Sequence, residues 1–236
     1  MAGETQERER PDPMERPGTN PQPLLHSHVS GPAPAAATPP PLRACLLSGG
    51  ASRRMGRDKA LLPHPEGGTW LERTLRLLAQ LNVPITLFSR HAAHRALAQE
   101  LADALALPQL EAIAEPPPWE GPLLALHRLM EHHPGQRLLL CPVDMPALNG
   151  TALRQLLAAA AAEPSTIHLA QGGAQLQPLL AVLPASPALM EHLAEAVSSG
   201  ERRLQSWLQH HPCRAVPLDP AALHNCNRPE EIHHRL

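Results

Sequence analysis

Short apolar runs alternate along the chain with longer segments in which apolar residues recur at helical spacing. The short runs are bounded by Gly, Pro or polar residues, which is typical of β-strands buried on both faces. The longer segments repeat Leu and Ala at intervals of three and four residues and therefore predict amphipathic helices. The predicted strands are 42–48, 84–89, 110–114, 136–141, 166–170, 176–183 and 214–216. The predicted helices are 70–81, 92–105, 122–130, 151–162, 187–197 and 202–209, with a closing helix from 229.

Local signals support these helix starts. Thr69, with Glu72 three residues later, has the pattern of a capping box, and Pro122 after Gly121 suits a first helical position. Because strands and helices alternate, we expect one α/β domain with a doubly wound, mostly parallel sheet flanked by helices. Ligands of such sheets bind at the carboxyl ends of the strands, so functional residues are expected directly after strands.

The N-terminal segment has a different character. Residues 1–41 are charged at first and then rich in Pro and Ala, a composition that cannot bury enough apolar surface to offset the entropy of ordering. We therefore expect a disordered tail over 1–41, followed by a single domain over 42–236.

Composition narrows the class of protein. The chain is 43% hydrophobic but only 2% aromatic, so its core is expected to consist mainly of Leu, Ala, Val and Ile. A formal net charge of -2 gives no argument for nucleic-acid or membrane binding. The N-terminus lacks the pattern of a secretory signal, and no apolar run is long enough to span a membrane. The four cysteines are widely spaced and are expected to be reduced thiols, which suits a cytoplasmic protein.

The segment 46–59 carries the main candidate chemistry. It leaves an apolar strand at the glycine pair Gly49-Gly50 and continues through basic residues, among them Arg54 and Lys59. Adjacent glycines let the main chain approach a ligand closely, and successive amide groups can then bind an anion. The order fits neither the P-loop nor the dinucleotide fingerprint. The segment therefore predicts a phosphate-binding loop of another kind, with an exposed basic turn as the alternative.

Two carboxylates follow other predicted strands. Glu115 comes directly after the third strand, and Asp144 follows the fourth, between Pro142 and Pro146. Mg²⁺ takes one or two carboxylates and completes its shell with phosphate oxygens and water, so Asp144 is predicted to be a metal ligand. The alternative is that the Asp144 carboxylate only stabilises a turn.

These segments together carry a family resemblance. The loop resembles the Leu-x-Gly-Gly-x-x-x-Arg-Met-Gly-x-x-Lys signature of a group of nucleotidyltransferases, and within that group it is most similar to the MobA family of molybdenum cofactor guanylyltransferases. Further similar segments follow in order: Gly-Pro-Leu at 121–123, Cys-Pro-Val-Asp-Met-Pro at 141–146, Gly-Glu-Arg-Arg at 200–203 and Asn-Cys-Asn-Arg-Pro-Glu-Glu at 225–231. The resemblance covers roughly 42–236 and implies a nucleotidyltransferase type of Rossmann-like sheet.

The resemblance also implies roles for particular residues. The implied nucleotide-binding residues are Leu47, Ser48, Gly49, Gly50, Lys59, Glu115 and Asp144. The implied catalytic residues are Arg54, Lys59 and Asp144, with Asp144 as the Mg²⁺ ligand. Asn225 and Asn227 are implied to place molybdopterin, although an asparagine pair can also simply form a turn. Glu115 stands where the family usually has an aspartate.

The implied reaction transfers GMP from GTP to molybdopterin with Mg²⁺ and releases pyrophosphate. Three alternatives stay open at this point: a cytidylyltransferase acting on molybdopterin, a guanylyltransferase acting on a cobinamide phosphate, and a nucleotide-binding module without catalysis. The expected partners are GTP and molybdopterin, together with molybdoenzyme chaperones or other proteins of cofactor biosynthesis, but neither nucleic acid nor a membrane. The residues alone leave GTP against CTP and the oligomeric state open.

Overall fold

The computed structural model describes residues 39–50, 58–184 and 186–226. In these residues strands and helices alternate as predicted. The strands are β1 (Leu42–Leu47), β2 (Ile85–Ser89), β3 (Leu110–Ala114), β4 (Arg137–Pro142), β5 (Ile167–Gly172), β6 (Gln175–Leu183) and β7 (Cys213–Leu218). The helices are α1 (Trp70–Ala79), α2 (Ala92–Ala104), α3 (Pro122–His132), α4 (Gly150–Ala162), α5 (Pro187–Ser198) and α6 (Leu204–Leu208). The predicted closing helix and most of the predicted tail lie outside the described residues.

The strands form one sheet in the order β3-β2-β1-β4-β6-β5-β7. Strands β1 to β4 pair in parallel, and β6 pairs in antiparallel fashion with both β4 and β5. The doubly wound, mostly parallel sheet predicted from the sequence is therefore confirmed. The register aligns Leu47 of β1 with Phe88 of β2 and with Pro142 of β4, so these strands end at one edge of the sheet.

Both faces of the sheet are covered, which explains why its central strands are apolar without interruption. On β1, Ala44 and Leu46 pack in a cluster with α1, α2 and α4, whereas Cys45 packs in a cluster with α3, α5 and α6. Leu139 and Leu140 of β4 divide between the two clusters in the same way. Successive side chains of a strand point to opposite faces, so a continuous apolar run supplies both layers.

Helices α1 and α3 begin at the residues that the sequence predicted. The Thr69 side chain accepts from the Glu72 amide and the Glu72 carboxylate accepts from the Thr69 amide, so the predicted capping box at α1 is present. Helix α3 begins at Pro122 after Gly121, whose φ of 110° is one that side-chain-bearing residues rarely adopt. Gly121 thereby turns the chain from the β3 side of the sheet into the helix.

A partly buried polar cluster lies at the opposite edge of the sheet, where the parallel strands begin. Arg43 donates to Gln136 Oε1 at 2.9 Å and to Thr86 Oγ1 at 3.0 Å, and it forms an ion pair with Glu111. His133 Nε2 lies 3.0 Å from Thr86 Oγ1. The cluster ties the starts of β1, β2, β3 and β4 together.

The four cysteines are free thiols, and burial raises the pKa of both Cys45 and Cys141 to about 12. These two thiols therefore stay protonated and unreactive at neutral pH. Among the helices of the described ranges, none combines the length and apolarity that crossing a membrane requires.

Candidate active site

A cavity of about 550 Å³ opens where β1, β2, β3 and β4 end. The predicted site residues among its lining lie at the ends of these strands or in the loops that follow them, as expected of a doubly wound sheet. This first cavity is lined in part by Leu47, Ser48, Gly49, Gly50, Asp58, Lys59, Arg90, His94, Glu115, Trp119 and Asp144. All predicted nucleotide-binding residues thus lie around one space.

The glycine pair leaves β1 at the base of the cavity. The Ser48 amide donates to Phe88 O at 3.2 Å and the Ser89 hydroxyl donates to Ser48 O at 2.7 Å, so the exit from β1 is bonded to the end of β2. A Cβ atom at Gly49 would lie 2.5 Å from Glu115 Oε2. The absence of a side chain at Gly49 lets the Glu115 carboxylate lie directly against the main chain.

His94, on the first turns of α2, connects the two ends of this loop. Its ring Nδ1 lies 2.8 Å from Ser48 O, and its Nε2 lies 2.7 Å from Asp58 Oδ2. Ser48 precedes the glycine pair, and Asp58 directly precedes Lys59, so the imidazole spans the loop between them. The ring itself is 1% exposed, whereas the Asp58 side chain is 30% exposed. Arg54 of the same loop, predicted to be catalytic, lies outside the described residues.

Lys59 and Asp144 form an ion pair at the wall of the cavity. The Lys59 ammonium donates to Asp144 Oδ2 at 3.0 Å and to Cys226 O at 3.4 Å. The Cys226 amide in turn donates to Asp144 O at 3.0 Å. Lys59 begins a short 3-10 turn (Lys59–Leu61) that the sequence pattern did not predict; Asp58 caps this turn by accepting from the Ala60 amide. The turn fixes the main-chain position of Lys59.

Glu115 lies at the β3 end of the cavity with 9% of its surface exposed. Burial raises the pKa of its carboxyl group, and the guanidinium groups of Arg128 and Arg90 oppose that rise. Arg128 Nη1 lies 3.8 Å from Glu115 Oε1. The carboxylate is therefore held in an environment that partly resists its ionisation and leaves it poorly hydrated.

The loop after Glu115 places an aromatic side chain in the cavity. Trp119 Nε1 donates to Glu115 O at 3.0 Å, and the Arg90 guanidinium lies 5.2 Å from the centroid of the indole. Arg128 donates to the carbonyls of all three intervening prolines, at 2.7 to 3.2 Å. These hydrogen bonds fix the loop of residues 116–119 along one side of the cavity.

Asn225 lies in a second cavity, also of about 550 Å³, instead of the first. Its side-chain amide donates to Gln177 Oε1 at 3.1 Å, and Gln177 Nε2 donates to Leu223 O at 3.4 Å. Cys226 lines this second cavity and also bonds through its main chain to Lys59 and Asp144. Asn227, predicted to bind the same substrate, lies outside the described residues.

The donor set around the first cavity suits a magnesium ion held mainly by its substrate. Among the described residues no three His, Cys, Asp or Glu side chains are grouped so as to enclose a metal. The cavity is lined by three carboxylates, and each lies beside a basic side chain: Asp58 beside His94, Glu115 beside Arg128 and Asp144 beside Lys59. Asp144 stays the predicted metal ligand. One carboxylate, with phosphate oxygens and water, is an arrangement that Mg²⁺ accepts.

Sequence patterns did not point to His94, Asp58 or Trp119. The available signals were weak: a histidine early in the helix after β2, an aspartate beside the predicted lysine, and an aromatic residue in a chain with few aromatics. None of these signals says which distant residue the side chain meets.

The fold and the site define a nucleotidyltransferase class of protein. Residues 44–216 match the model of the MobA-like NTP transferase domain. The chain belongs to that family.

Individual relatives agree. The chain is 35% identical over 204 residues to a "Probable molybdenum cofactor guanylyltransferase" of Rhodopirellula baltica, covering 83% of this chain and 92% of the relative. It is 34% identical over 195 residues to a "Molybdenum cofactor guanylyltransferase" of Xanthomonas euvesicatoria, covering 81% and 92%. The crystal structure of "Molybdopterin-guanine dinucleotide biosynthesis protein A" from Archaeoglobus fulgidus has the same fold, with a TM-score of 0.61 at 18% identity over 80% of this chain and 94% of that one.

Proposed function

We propose that this protein transfers GMP from GTP to molybdopterin and releases pyrophosphate. The observation that carries the proposal is that one cavity holds the Gly49-Gly50 loop, the Lys59–Asp144 pair and the Glu115 carboxylate. The names of the relatives in Rhodopirellula baltica and Xanthomonas euvesicatoria support the same reaction.

In this reaction a terminal phosphate oxygen of molybdopterin attacks the α-phosphorus of GTP. The bond between the α-phosphorus and the bridging oxygen breaks, and pyrophosphate leaves with the electron pair. The attacking oxygen is already ionised, so the step needs no general base. The protein therefore acts by aligning the two substrates and by stabilising the charge that develops on the phosphates.

The phosphate groups would bind between the ends of β1 and β4. The amides of the glycine loop and the Lys59 ammonium supply positive potential there, and Arg54 is proposed to add to it. Asp144 would hold Mg²⁺, which when bound neutralises phosphate charge and polarises the reacting phosphoryl group. The Lys59–Asp144 ion pair keeps both side chains directed at the same space before substrate arrives.

The base would bind at the β3 end, against Glu115. A carboxylate only accepts hydrogen bonds, and guanine offers it two adjacent donors, the N1–H and the 2-amino group. Cytosine offers a single amino donor beside two acceptors that would repel the carboxylate. The buried position of Glu115 makes such a mismatch costly, which favours GTP over CTP.

The second cavity would take the pterin part of molybdopterin. Its lining includes the Asn225 and Gln177 side chains, whose amide groups can both donate and accept as a pterin edge requires. Cys226 belongs to this cavity and is bonded to the lysine and aspartate of the first. The two cavities therefore adjoin at the place where phosphate must meet phosphate.

The test is a product assay. The protein is incubated with Mg²⁺, molybdopterin and either GTP or CTP, and the product is identified by its mass. We expect the guanine dinucleotide and pyrophosphate from GTP, and little product from CTP. A cytosine dinucleotide would assign the cytidylyltransferase instead, product formed with a cobinamide phosphate would assign that acceptor, and nucleotide binding without any product would favour a non-catalytic module.

Two variants test the assigned machinery. Lys59→Ala and Asp144→Ala are expected to lower turnover by on the order of 10²–10³ or more, since each removes an electrostatic contact to the reacting phosphates. Circular dichroism should show an unchanged fold, because both side chains lie at the cavity surface. Turnover like that of the unmodified protein in either variant would contradict the mechanism.

A further inference from the structure

Trp119 stands apart from the other two tryptophans. Half of its surface is exposed (50%), whereas Trp70 and Trp207 are 0% and 4% exposed. It lines the first cavity, where the remaining wall is mostly buried or polar. A large aromatic face left in contact with solvent inside a binding cavity is available to a ligand.

The indole is held in place before any ligand binds. Its Nε1 donates to Glu115 O, and the Arg90 guanidinium lies over the ring at 5.2 Å from its centroid. Arg128 fixes the preceding loop through the carbonyls of Pro116, Pro117 and Pro118. A ring braced in this way loses little conformational entropy on binding, which favours stacking.

The order of the strands indicates which part of a nucleotide reaches this ring. In the sheet order β3-β2-β1-β4, Lys59 and Asp144 are associated with the β1 and β4 ends. Arg90 and Trp119 follow β2 and β3. If the phosphates of a nucleotide bind at Lys59, its base extends toward the end of β3. The Trp119 indole and the Glu115 carboxylate lie there.

We propose that Trp119 is the stacking surface for the nucleobase, while Glu115 reads the hydrogen-bonding edge of the same base. The inference rests on the proposed use of GTP and adds a specificity-determining residue to it. A purine covers more of an indole than a pyrimidine does, so Trp119 contributes to the preference for guanine over cytosine as well as to affinity.

Calorimetry with Mg²⁺ separates base contacts from phosphate contacts. Trp119→Ala is expected to weaken GTP binding roughly tenfold, by the usual cost of losing one base–aromatic stack. Trp119→Phe keeps an aromatic face and should retain most of the affinity. Inorganic tripolyphosphate has no base, so its binding should be the same in Trp119→Ala as in the unmodified protein. Leu105→Ala removes another exposed apolar side chain, 38% exposed at the C-terminal end of α2 and outside the lining of the first cavity, and serves as the matched control.

Fluorescence gives a second readout that does not depend on catalysis. Since Trp70 and Trp207 are buried, quenching of the emission by GTP reports on Trp119, and Trp119→Phe should abolish it. Equal GTP affinity in Trp119→Ala and the unmodified protein would overturn the stacking role of Trp119. That result would not count against the proposed transfer reaction. An effect of Trp119→Ala on molybdopterin binding alone would also overturn it. GTP binding with normal quenching but no dinucleotide product would support the stacking role and count against the proposed reaction.

Discussion

His94 Nε2 lies 2.7 Å from Asp58 Oδ2, and this contact closes a brace whose other end is the Ser48 carbonyl. The imidazole thereby contacts both Ser48, directly before the glycine pair, and Asp58, directly before Lys59. Because Asp58 directly precedes Lys59, this contact also fixes the main chain next to the lysine that is proposed to bind phosphate.

The first prediction concerns this brace. His94→Ala should lower kcat/KM for GTP and should cost about 1–3 kcal/mol of folding free energy, because it removes the contacts of a buried imidazole with Asp58 and with Ser48 O. Asp58→Ala should act similarly. The two effects should not add in the double variant, since both substitutions remove the same contact. Steady-state kinetics and urea unfolding of the two single variants and the double variant measure this, and additive losses would show that the residues act separately.

The second prediction compares neighbouring glycines. A methyl group at Gly49 would meet Glu115 Oε2 at 2.5 Å, whereas one at Gly50 would meet nothing within 4 Å. Gly49→Ala should therefore push the Glu115 carboxylate aside and weaken GTP binding about tenfold, by loss of a charge-assisted contact. The stability cost should be small because the end of a flexible side chain can move. Gly50→Ala should weaken GTP binding distinctly less in the same titration. Equal losses in both variants would contradict the contact between Gly49 and Glu115.

The third prediction follows from the pKa of Glu115. Burial raises this pKa above the ordinary 4.5, with Arg128 and Arg90 in opposition. In the proposed binding mode the ionised carboxylate accepts the guanine donors, so GTP affinity should fall as pH is lowered toward that raised pKa. The fall should begin at a higher pH than it would with a glutamate of ordinary pKa. Glu115→Gln should lower GTP affinity at neutral pH and remove this pH dependence.

The melting temperature of the Glu115→Gln variant at pH 7 should not fall, because the raised pKa means that ionisation of Glu115 opposes folding. A binding isotherm and a melting curve at each pH give both quantities.

The fourth prediction concerns the polar cluster at the other edge of the sheet. Burial, aided by the charge of Arg43 and opposed by Glu111, lowers the pKa of His133 below the ordinary 6.5. Below pH 6.5 the unfolded chain therefore binds a proton that the folded protein does not. The stability that the neutral His133 contributes should be complete above pH 6.5 and should be lost as pH falls toward the pKa of His133 in the folded protein.

His133→Gln should reduce the slope of unfolding free energy against pH. Some slope should remain, since the pKa values of His91 and His211 are lowered too. An unchanged slope would contradict the assignment.

Much of the site could be predicted because of one geometric rule. Parallel strands bring their carboxyl ends to one edge, so residues after apolar runs, such as Gly49, Glu115 and Asp144, were expected to converge without knowledge of any contact. The strand register bears this out by aligning the ends of β1, β2 and β4. The roles assigned to individual residues by family resemblance stay predictions, and Arg54 and Asn227 lie outside the residues that the structure describes.

The sequence by itself determined the alternation of elements, the two-sided burial of the central strands and the edge at which the chemistry gathers. These properties depend on local periodicity and on a topology that parallel strands impose. Only the tertiary structure decided that Lys59 pairs with Asp144, that His94 braces the glycine loop, that Trp119 faces the cavity and that Asn225 lines a second one. The contacts of Lys59 with Asp144, of His94 with Asp58 and of Asn225 with Gln177 each join residues more than thirty positions apart. All of these positions depend on how helices and loops pack over the sheet. No sequence period encodes that packing, because many arrangements of side chains satisfy the same pattern of apolar and polar positions.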